Sequence, residues 1–240
     1  MKILSIECSA VPSSVAIYDS EQNKLLVENY QNIGLTHSET LMPMIESALN
    51  SVKLTVDDID CFSISAGPGS FTGVRIGIST IKGLAAKNDT NTLGLSTLHA
   101  MSYNALSFKG IIVPTMDARR SQCYTALFKS DGEKIQRITE DTAISLEELK
   151  DIINEETRKN DCDAIILGDG AELYFYTLKE STERGVLAPP TIRYQTARSV
   201  ALLTSEMLKT GAHSSARNII PKYLRLPQAE RELNSKLGNK

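Results

Sequence analysis

The sequence has few of the residues that build metal centres and disulfide frameworks. Its 240 residues include four cysteines, which lie far apart without a CxxC pair, and three histidines, which form neither an HxxxH nor an HExxH pair. Zinc hydrolases and small disulfide-rich domains depend on such spacings. We therefore predict a reduced, cytoplasmic protein that binds no metal.

Long apolar segments and an excess of positive charge are also absent. The first residues, MKILSIECSAV, form only short apolar runs that Glu7 interrupts, so we expect neither a secretory signal nor a membrane span. The net charge is −3, whereas proteins that bind nucleic acid alone are usually basic. We expect the isolated chain to bind RNA weakly. Bases nevertheless outnumber acids in residues 217–240, which indicates either a polyanion contact or a solvated tail.

The hydrophobic pattern predicts a duplicated α/β fold. With 41% apolar residues, the chain is long enough to bury a sizeable core. Three short apolar runs (KILSIEC, SVAIY and KLLVENY) predict an antiparallel meander, and alternating helices and strands follow, giving β-β-β-α-β-α-β-α over residues 1–106. A second meander and further helices follow. We predict a first lobe over residues 1–108, a second over 109–217 and a C-terminal tail over 218–240.

The stretch SAGPGSFTGVRIGISTIKGLAA raises the possibility of a phosphate site. It lacks the Gly-Lys-Ser/Thr of a Walker loop, and its glycines are spaced one residue too far apart for a dinucleotide fingerprint. The start of a helix can still bind an anion. The candidate residues are Gly67, Gly69, Ser70 and Glu7, the last at the end of the first predicted strand. The alternative is a tight strand-to-helix turn in which the glycines serve geometry alone.

The helix that follows keeps glycines that cost roughly 1 kcal/mol each relative to alanine. One face is apolar and is expected to lie in the core. The residues of the second face are small: Gly73, Gly77, Thr80 and Gly83. A neighbouring backbone can approach this face closely, either from the chain's own lobe or from another subunit.

Two polar segments have alternative interpretations as well. Asp117, beside Arg119 and Arg120, is either a catalytic acid with two phosphate ligands or a turn-stabilising residue. In the tail, PKYLRLPQAERE contains Tyr223, Arg225 and Arg231. This segment either folds back on the domain or docks to a partner.

Six stretches together resemble the bacterial TsaB (YeaZ) family. They occur in the family's order and span nearly the whole chain: ILSIECSA with SSVAIY, HSETLMPMI, SAGPGSFTGVRIGISTIKGLA, LSTLHAM, MDARRSQCYTALF and PKYLRLPQAERE. The resemblance implies an actin-like (ASKHA) fold of two ribonuclease-H-like lobes. It also implies a role in forming threonylcarbamoyladenosine on tRNA, at the adenosine next to the anticodon.

In that pathway, the resemblance implies a non-catalytic subunit. The related protein TsaD carries the metal and transfers the threonylcarbamoyl group, and the ATPase TsaE joins the complex. We expect this chain to bind and activate TsaD and to meet tRNA indirectly through the complex. Alone, the chain is either a monomer or a homodimer. ATP and metal are expected on the partner proteins, and none is expected on this chain.

The residues at two family positions agree with a non-catalytic role. TsaD-like proteins carry an HxxxH pair where this chain has Thr97 and Met101, with His99 between them, and neither substituted residue is a good metal ligand. The first strand ends in Glu-Cys-Ser instead of the family's usual Asp-Thr-Ser, which weakens any inherited Mg-phosphate role for Glu7.

Family members pair through the helices of the N-terminal lobe. The residues that this implies for the partner interface are His37, Leu41, Gly73, Gly77, Thr80 and Gly83. The alternative functions are an actin-like ATPase or small-molecule kinase, which would use the glycine turn for phosphate, and a metallopeptidase.

Overall fold

A computed structural model describes residues 1–179 and 182–225, and its first half forms a five-stranded sheet. The strand order is β3-β2-β1-β4-β5, in which the β3–β2 and β2–β1 pairs are antiparallel and the β1–β4 and β4–β5 pairs are parallel. The elements are β1 (Lys2–Glu7), β2 (Ser13–Asp19), β3 (Lys24–Gln31), α1 (His37–Ser51), β4 (Cys61–Ser65), α2 (Phe71–Ala85), β5 (Asn91–Leu95) and α3 (Thr97–Ser102). The predicted order of elements over residues 1–106 is confirmed.

The second half repeats this strand order with interruptions. Its elements are β6 (Gly110–Asp117), β7 (Gln122–Thr125), β8 (Phe128–Ser130), β9 (Ile135–Arg137), β10 (Thr142–Ser145), α4 (Leu146–Asn160), β11 (Ala164–Leu167), α5 (Asp169–Lys179), β12 (Gly185–Leu187), α6 (Pro190–Arg193) and α7 (Ala197–Lys209). Strand β7 pairs with the end of β6 and β8 pairs with its start; β10 then pairs with β7, and β9 pairs with β8. Strands β7 and β8 together therefore correspond to β2 of the first sheet, and β10 and β9 together correspond to β3. The duplicated, actin-like α/β fold is confirmed.

Strands β1, β2 and β4 are buried almost throughout because helices cover both faces of their sheet. Helices α1 and α2 pack on one face, where Leu41, Ile45, Val74 and Ile81 join the core. Such two-sided burial explains why these strands read as continuous runs of apolar and small residues.

The two lobes exchange helices. Helix α7 lies within the predicted 109–217 lobe but covers the second face of the N-terminal sheet, where Val200 and Leu203 pack with Ile3 and Leu93. Conversely, Leu98 and Met101 of α3 pack in a cluster with Ile112 and Phe128 of the second lobe. The lobe boundaries remain predictions, because packing does not divide the chain at residues 108 and 217.

Within the residues that the structure describes, no helix is both long and apolar enough to span a membrane.

Candidate functional site

The glycine turn between β4 and α2 lies directly against the chain's own backbone. Gly67 has a φ of +119°, and a Cβ atom on it would lie 2.3 Å from the carbonyl oxygen of Lys222. Gly69 has a φ of +154°, and its Cβ would lie 2.4 Å from the carbonyl oxygen of Ser9. Both positions therefore need glycine for backbone conformation and for space.

Hydrogen bonds within the chain occupy much of this turn. The backbone N–H of Lys222 donates to the Ala66 carbonyl (2.7 Å), and that of Thr97 donates to the Gly67 carbonyl (2.9 Å). The Ser70 N–H donates to the Ser9 carbonyl at 2.6 Å, and the Ser70 hydroxyl caps α2 by accepting from the Gly73 N–H at 3.2 Å. These contacts support the geometric interpretation of the turn.

Glu7 lies behind the turn and is buried. Its carboxylate accepts hydrogen bonds from the Ser9 N–H (2.7 Å) and from the Ser65 hydroxyl. Burial raises the pKa of Glu7, and the carboxyl of Asp169, from the second lobe, adds to the rise. The pKa of Asp169 is also raised by burial, although Gln195 donates a hydrogen bond to it at 2.6 Å.

Three of the four candidate phosphate residues are thus brought together, since Ser9 contacts Glu7, Gly69 and Ser70, and Gly67 lies in the same turn against Lys222. Each of the four already has a close contact within the chain, and phosphate binding by them remains a prediction. Among residues 1–179 and 182–225, no three His, Cys, Asp or Glu side chains converge as they would on a metal ion.

The buried carboxyl of Glu7 predicts a specific pH dependence. Its raised pKa means that the folded chain binds this proton more tightly than the unfolded chain does, so stability falls as pH rises through the raised pKa. We expect Glu7→Gln to increase the free energy of unfolding at neutral pH and to flatten this fall, because an amide can keep both hydrogen bonds without a buried charge. Urea unfolding across the pH range measures the effect.

Glu133→Gln is the matched control, because Glu133 is exposed. It should leave the pH profile of stability unchanged. Parallel profiles for the wild type and Glu7→Gln would contradict the assignment of the buried charge.

Helix α2 turns two of its small residues toward its own lobe. A Cβ on Gly73 would lie 2.1 Å from the Cys8 carbonyl oxygen, and one on Gly77 would lie 2.4 Å from both Cys8 Sγ and Ile64 Cδ1. The Cys8 thiol also donates to the Gly73 carbonyl at 3.1 Å. Of the two interpretations left open by the sequence, packing within the lobe therefore accounts for Gly73 and Gly77.

The residues of the predicted partner interface differ in burial, and their role in binding a partner remains a prediction. Leu41, Gly73 and Gly77 are buried in the chain's own lobe. His37 is half-buried, with its Nε2 atom 2.9 Å from the Ala10 carbonyl oxygen. Thr80 is half-buried, and Gly83 is exposed with open space around it.

An apolar groove beside α1 was not predicted from the sequence. The groove has a volume of about 510 Å³, and its apolar lining includes Met42, Leu49, Leu54, Val56 and Leu84. Met42 is 51% exposed. The signal was present in the sequence, since Met42 is a large apolar residue outside the helical stripe that predicts the core face of α1.

The residues of α3 at the family's metal-ligand positions are buried. Thr97 and Met101 are at most 1% exposed, and Met101 packs in the core between the lobes. The His99 ring stacks on Phe128 with centroids 5.2 Å apart, and burial lowers the pKa of His99 to about 4. These residues form a packed junction between the two lobes.

The tail folds back across both lobes. The Tyr223 and Phe71 rings stack with centroids 5.0 Å apart, and Arg75 Nε donates to the Tyr223 hydroxyl at 2.8 Å. Arg225 Nη1 donates to the Ala118 carbonyl at 2.7 Å. Tyr223 and Arg225 thus contact their own chain, while Arg231 lies outside the described residues.

Comparison with known proteins gives consistent matches. The family model described as "TsaD: tRNA N6-adenosine threonylcarbamoyltransferase" matches residues 32–233. The tRNA threonylcarbamoyladenosine biosynthesis protein TsaB of Bacillus subtilis is 27% identical over 96% of both chains. The TsaB of Escherichia coli is 27% identical over 98% of this chain and 100% of its own. The solved structure of YeaZ from Pseudomonas aeruginosa has a TM-score of 0.76 at 21% identity, covering 93% of this chain and all of that one, and so shares the fold.

Proposed function

Because the chain belongs to the TsaB (YeaZ) family, within the broader family described as tRNA N6-adenosine threonylcarbamoyltransferase, we propose that it is a non-catalytic subunit in threonylcarbamoyladenosine formation. In this proposal the chain binds and activates TsaD, and TsaE joins the complex. ATP and the metal ion belong to those partners.

The observation that carries the proposal is the packed junction at α3. Where TsaD-like proteins have two metal-binding histidines, this chain has Thr97 and Met101, both buried in a core between the lobes. A thioether and a hydroxyl are poor substitutes for imidazoles as ligands of a borderline metal ion. The replacement of both imidazoles in this packed core supports a subunit that leaves the transfer chemistry to its partner.

The glycine turn gives further support. Lys222 lies against Gly67 and donates a backbone hydrogen bond to Ala66, so the chain's own tail lies where an ATPase or kinase would bring phosphate. No observation in the described residues favours the ATPase, kinase or peptidase alternatives over the accessory role.

The groove beside α1 is the surface that we assign to TsaD. It lies on the N-terminal lobe, is lined mainly by apolar side chains, and has Met42 at its edge. Exposed apolar patches on soluble proteins commonly mark interaction sites. The same surface would serve a homodimer when TsaD is absent, because two related lobes can use equivalent faces around a two-fold axis.

Size-exclusion chromatography of the purified chain mixed with TsaD tests this assignment. We expect the wild type to co-elute with TsaD and Met42→Asp to weaken the association about ten-fold or more, since a charge would be buried without a partner. Leu173→Asp is the matched control, because Leu173 is 62% exposed on the other lobe. A bulky charged substitution on α2, such as Gly77→Arg, is unsuitable as a test of this interface, because its side chain would clash with Cys8 and Ile64 of the same lobe.

The possible outcomes are distinct. Failure of the wild-type chain to bind TsaD would overturn the proposed function. Equal co-elution of wild type and Met42→Asp would support TsaD as the partner but would contradict the assignment of the groove as its binding surface.

A further inference from the structure

Arginines and stacked aromatic rings form a strip along the tail where it crosses from one lobe to the other; Arg75, Arg119 and Arg120 are exposed, and Arg225 is half-buried. The Tyr223–Phe71 stack begins it, with the Arg75 guanidinium 3.7 Å from the Phe71 ring centroid. Arg225, two residues beyond Tyr223, is fixed to the Ala118 carbonyl in the second lobe. The basic strip, as we call it, consists of Phe71, Arg75, Arg119, Arg120, Tyr223 and Arg225.

The second half of the strip is held by an unusual turn between β6 and β7. Arg119, Arg120 and Ser121 have consecutive φ values of 61°, 56° and 55°. Left-handed conformations cost non-glycine residues roughly 1 kcal/mol each, and such costs tend to persist at functional sites. Asp117 stabilises the turn by accepting hydrogen bonds from the Arg119 N–H and the Tyr174 hydroxyl, both at 2.7 Å. The turn therefore holds both arginine side chains in solvent.

The arginine side chains of the strip lack carboxylate partners among the described residues, and the nearby Asp117 carboxylate accepts instead from the Arg119 backbone N–H and the Tyr174 hydroxyl. Across residues 1–179 and 182–225, no salt bridge involves Arg75, Arg119, Arg120 or Arg225. Arginines elsewhere do have such partners, as Arg198 does with Glu28 at 2.9 Å. These four guanidinium groups, three exposed and one half-buried, give the strip positive charge that can attract a polyanion, even though the whole chain is acidic.

We propose that the basic strip binds single-stranded RNA. The arginines would contact successive phosphates, and the Phe71–Tyr223 pair, in which the two residues are 37% and 39% exposed, would stack on an unpaired base. A duplex keeps its bases stacked, and a lipid headgroup has no base. Charge together with exposed rings therefore favours a single strand over either.

The inference rests on the proposed function, in which the substrate is a tRNA modified beside its single-stranded anticodon. It goes beyond the expectation that tRNA is met indirectly through the complex, because the accessory subunit gains a direct contact. That contact uses the tail and the inter-lobe surface, not the groove assigned to TsaD.

Fluorescence anisotropy at low salt tests the proposal with the full chain and a hairpin RNA that has a single-stranded loop. We expect Arg119→Ala/Arg120→Ala to weaken binding about ten-fold and to reduce the slope of log affinity against log salt by roughly 1–2. Tyr223→Ala should cost about ten-fold through lost stacking, whereas Tyr223→Phe should bind like the wild type. A blunt duplex of the same length should bind more weakly than the hairpin.

Arg158→Ala/Lys159→Ala is the control with the same change in net charge. Arg158 and Lys159 lie in the last turn of α4, and the strand that follows, β11, begins beside the start of β6. Arg119 and Arg120 follow the end of β6, so the two pairs lie toward opposite ends of this strand. Equal weakening by both double variants, equal affinity for duplex and hairpin, or unchanged affinity of Arg119→Ala/Arg120→Ala would overturn the proposal. None of these measurements requires TsaD, so failure here is distinguishable from failure of the proposed function.

Discussion

Replacing Gly73 with alanine is expected to lower the free energy of unfolding by about 3 kcal/mol, within the range for forcing atoms into a packed core. The new Cβ would lie 2.1 Å from a backbone atom, the Cys8 carbonyl oxygen, so either α2 or the segment after β1 must move. The hydrogen bond from the Cys8 thiol to the Gly73 carbonyl would be disturbed by the same shift. Urea denaturation, with midpoint and slope fitted, measures the loss.

Gly83→Ala on the same helix is the matched control and should have the opposite sign. Gly83 is exposed and nothing lies within 4 Å of its Cβ position. Alanine there should raise the free energy of unfolding by about 0.5–1 kcal/mol through helix propensity. A stabilising or neutral Gly73→Ala would contradict the close approach of α2 to Cys8.

The second large effect is a loss of stability as the pH falls, caused by His99. Burial, followed by the nearby charge of Arg137, lowers the pKa of His99 from its ordinary 6.5 to about 4. The folded chain therefore binds this proton less tightly than the unfolded chain, so stability is complete above pH 6.5 and falls as the pH approaches 4. The shift corresponds to about 3 kcal/mol over that window.

The experiment compares wild type, His99→Phe and His213→Gln by urea unfolding across that window. Phenylalanine keeps a ring to stack on Phe128 but cannot take up a proton, so it should remove the loss attributed to His99. His213 is exposed, and its replacement should leave the profile as in the wild type. The assignment fails if wild type and His99→Phe lose stability in parallel. Glu7 and Asp169 titrate with the opposite sign, so the difference between variants is the informative quantity.

The prediction of the fold succeeded because hydrophobic periodicity is a local property. Alternation and helical spacing identified the strands and helices of the first lobe in their correct order, and the repeated pattern identified the second lobe. Helix α7 was placed by chain order, yet it packs on the N-terminal sheet through Val200 and Leu203. Periodicity shows that a helix has an apolar face, but it does not show which sheet that face will cover.

The candidate site shows the same division between local and long-range information. The tight-turn interpretation of the glycines rested on local spacing, yet the neighbour of Gly67 is Lys222, more than 150 residues further along the chain. The stripe of small residues on α2 was real, but Gly73 and Gly77 face Cys8 and Gly83 faces open space. Spacing along a helix defines a face without defining what lies opposite it.

The sequence by itself determined the duplicated α/β fold, the family and the missing histidine pair, because these depend on residue types and their order along the chain. Only the tertiary structure decided that two of the glycines on α2 serve the chain's own lobe, that the tail covers the glycine turn, and that Arg225 reaches the turn that carries Arg119 and Arg120. The physical reason is that close approach and contacts between distant segments are properties of residues brought together by folding, and no local pattern records the partner that folding supplies.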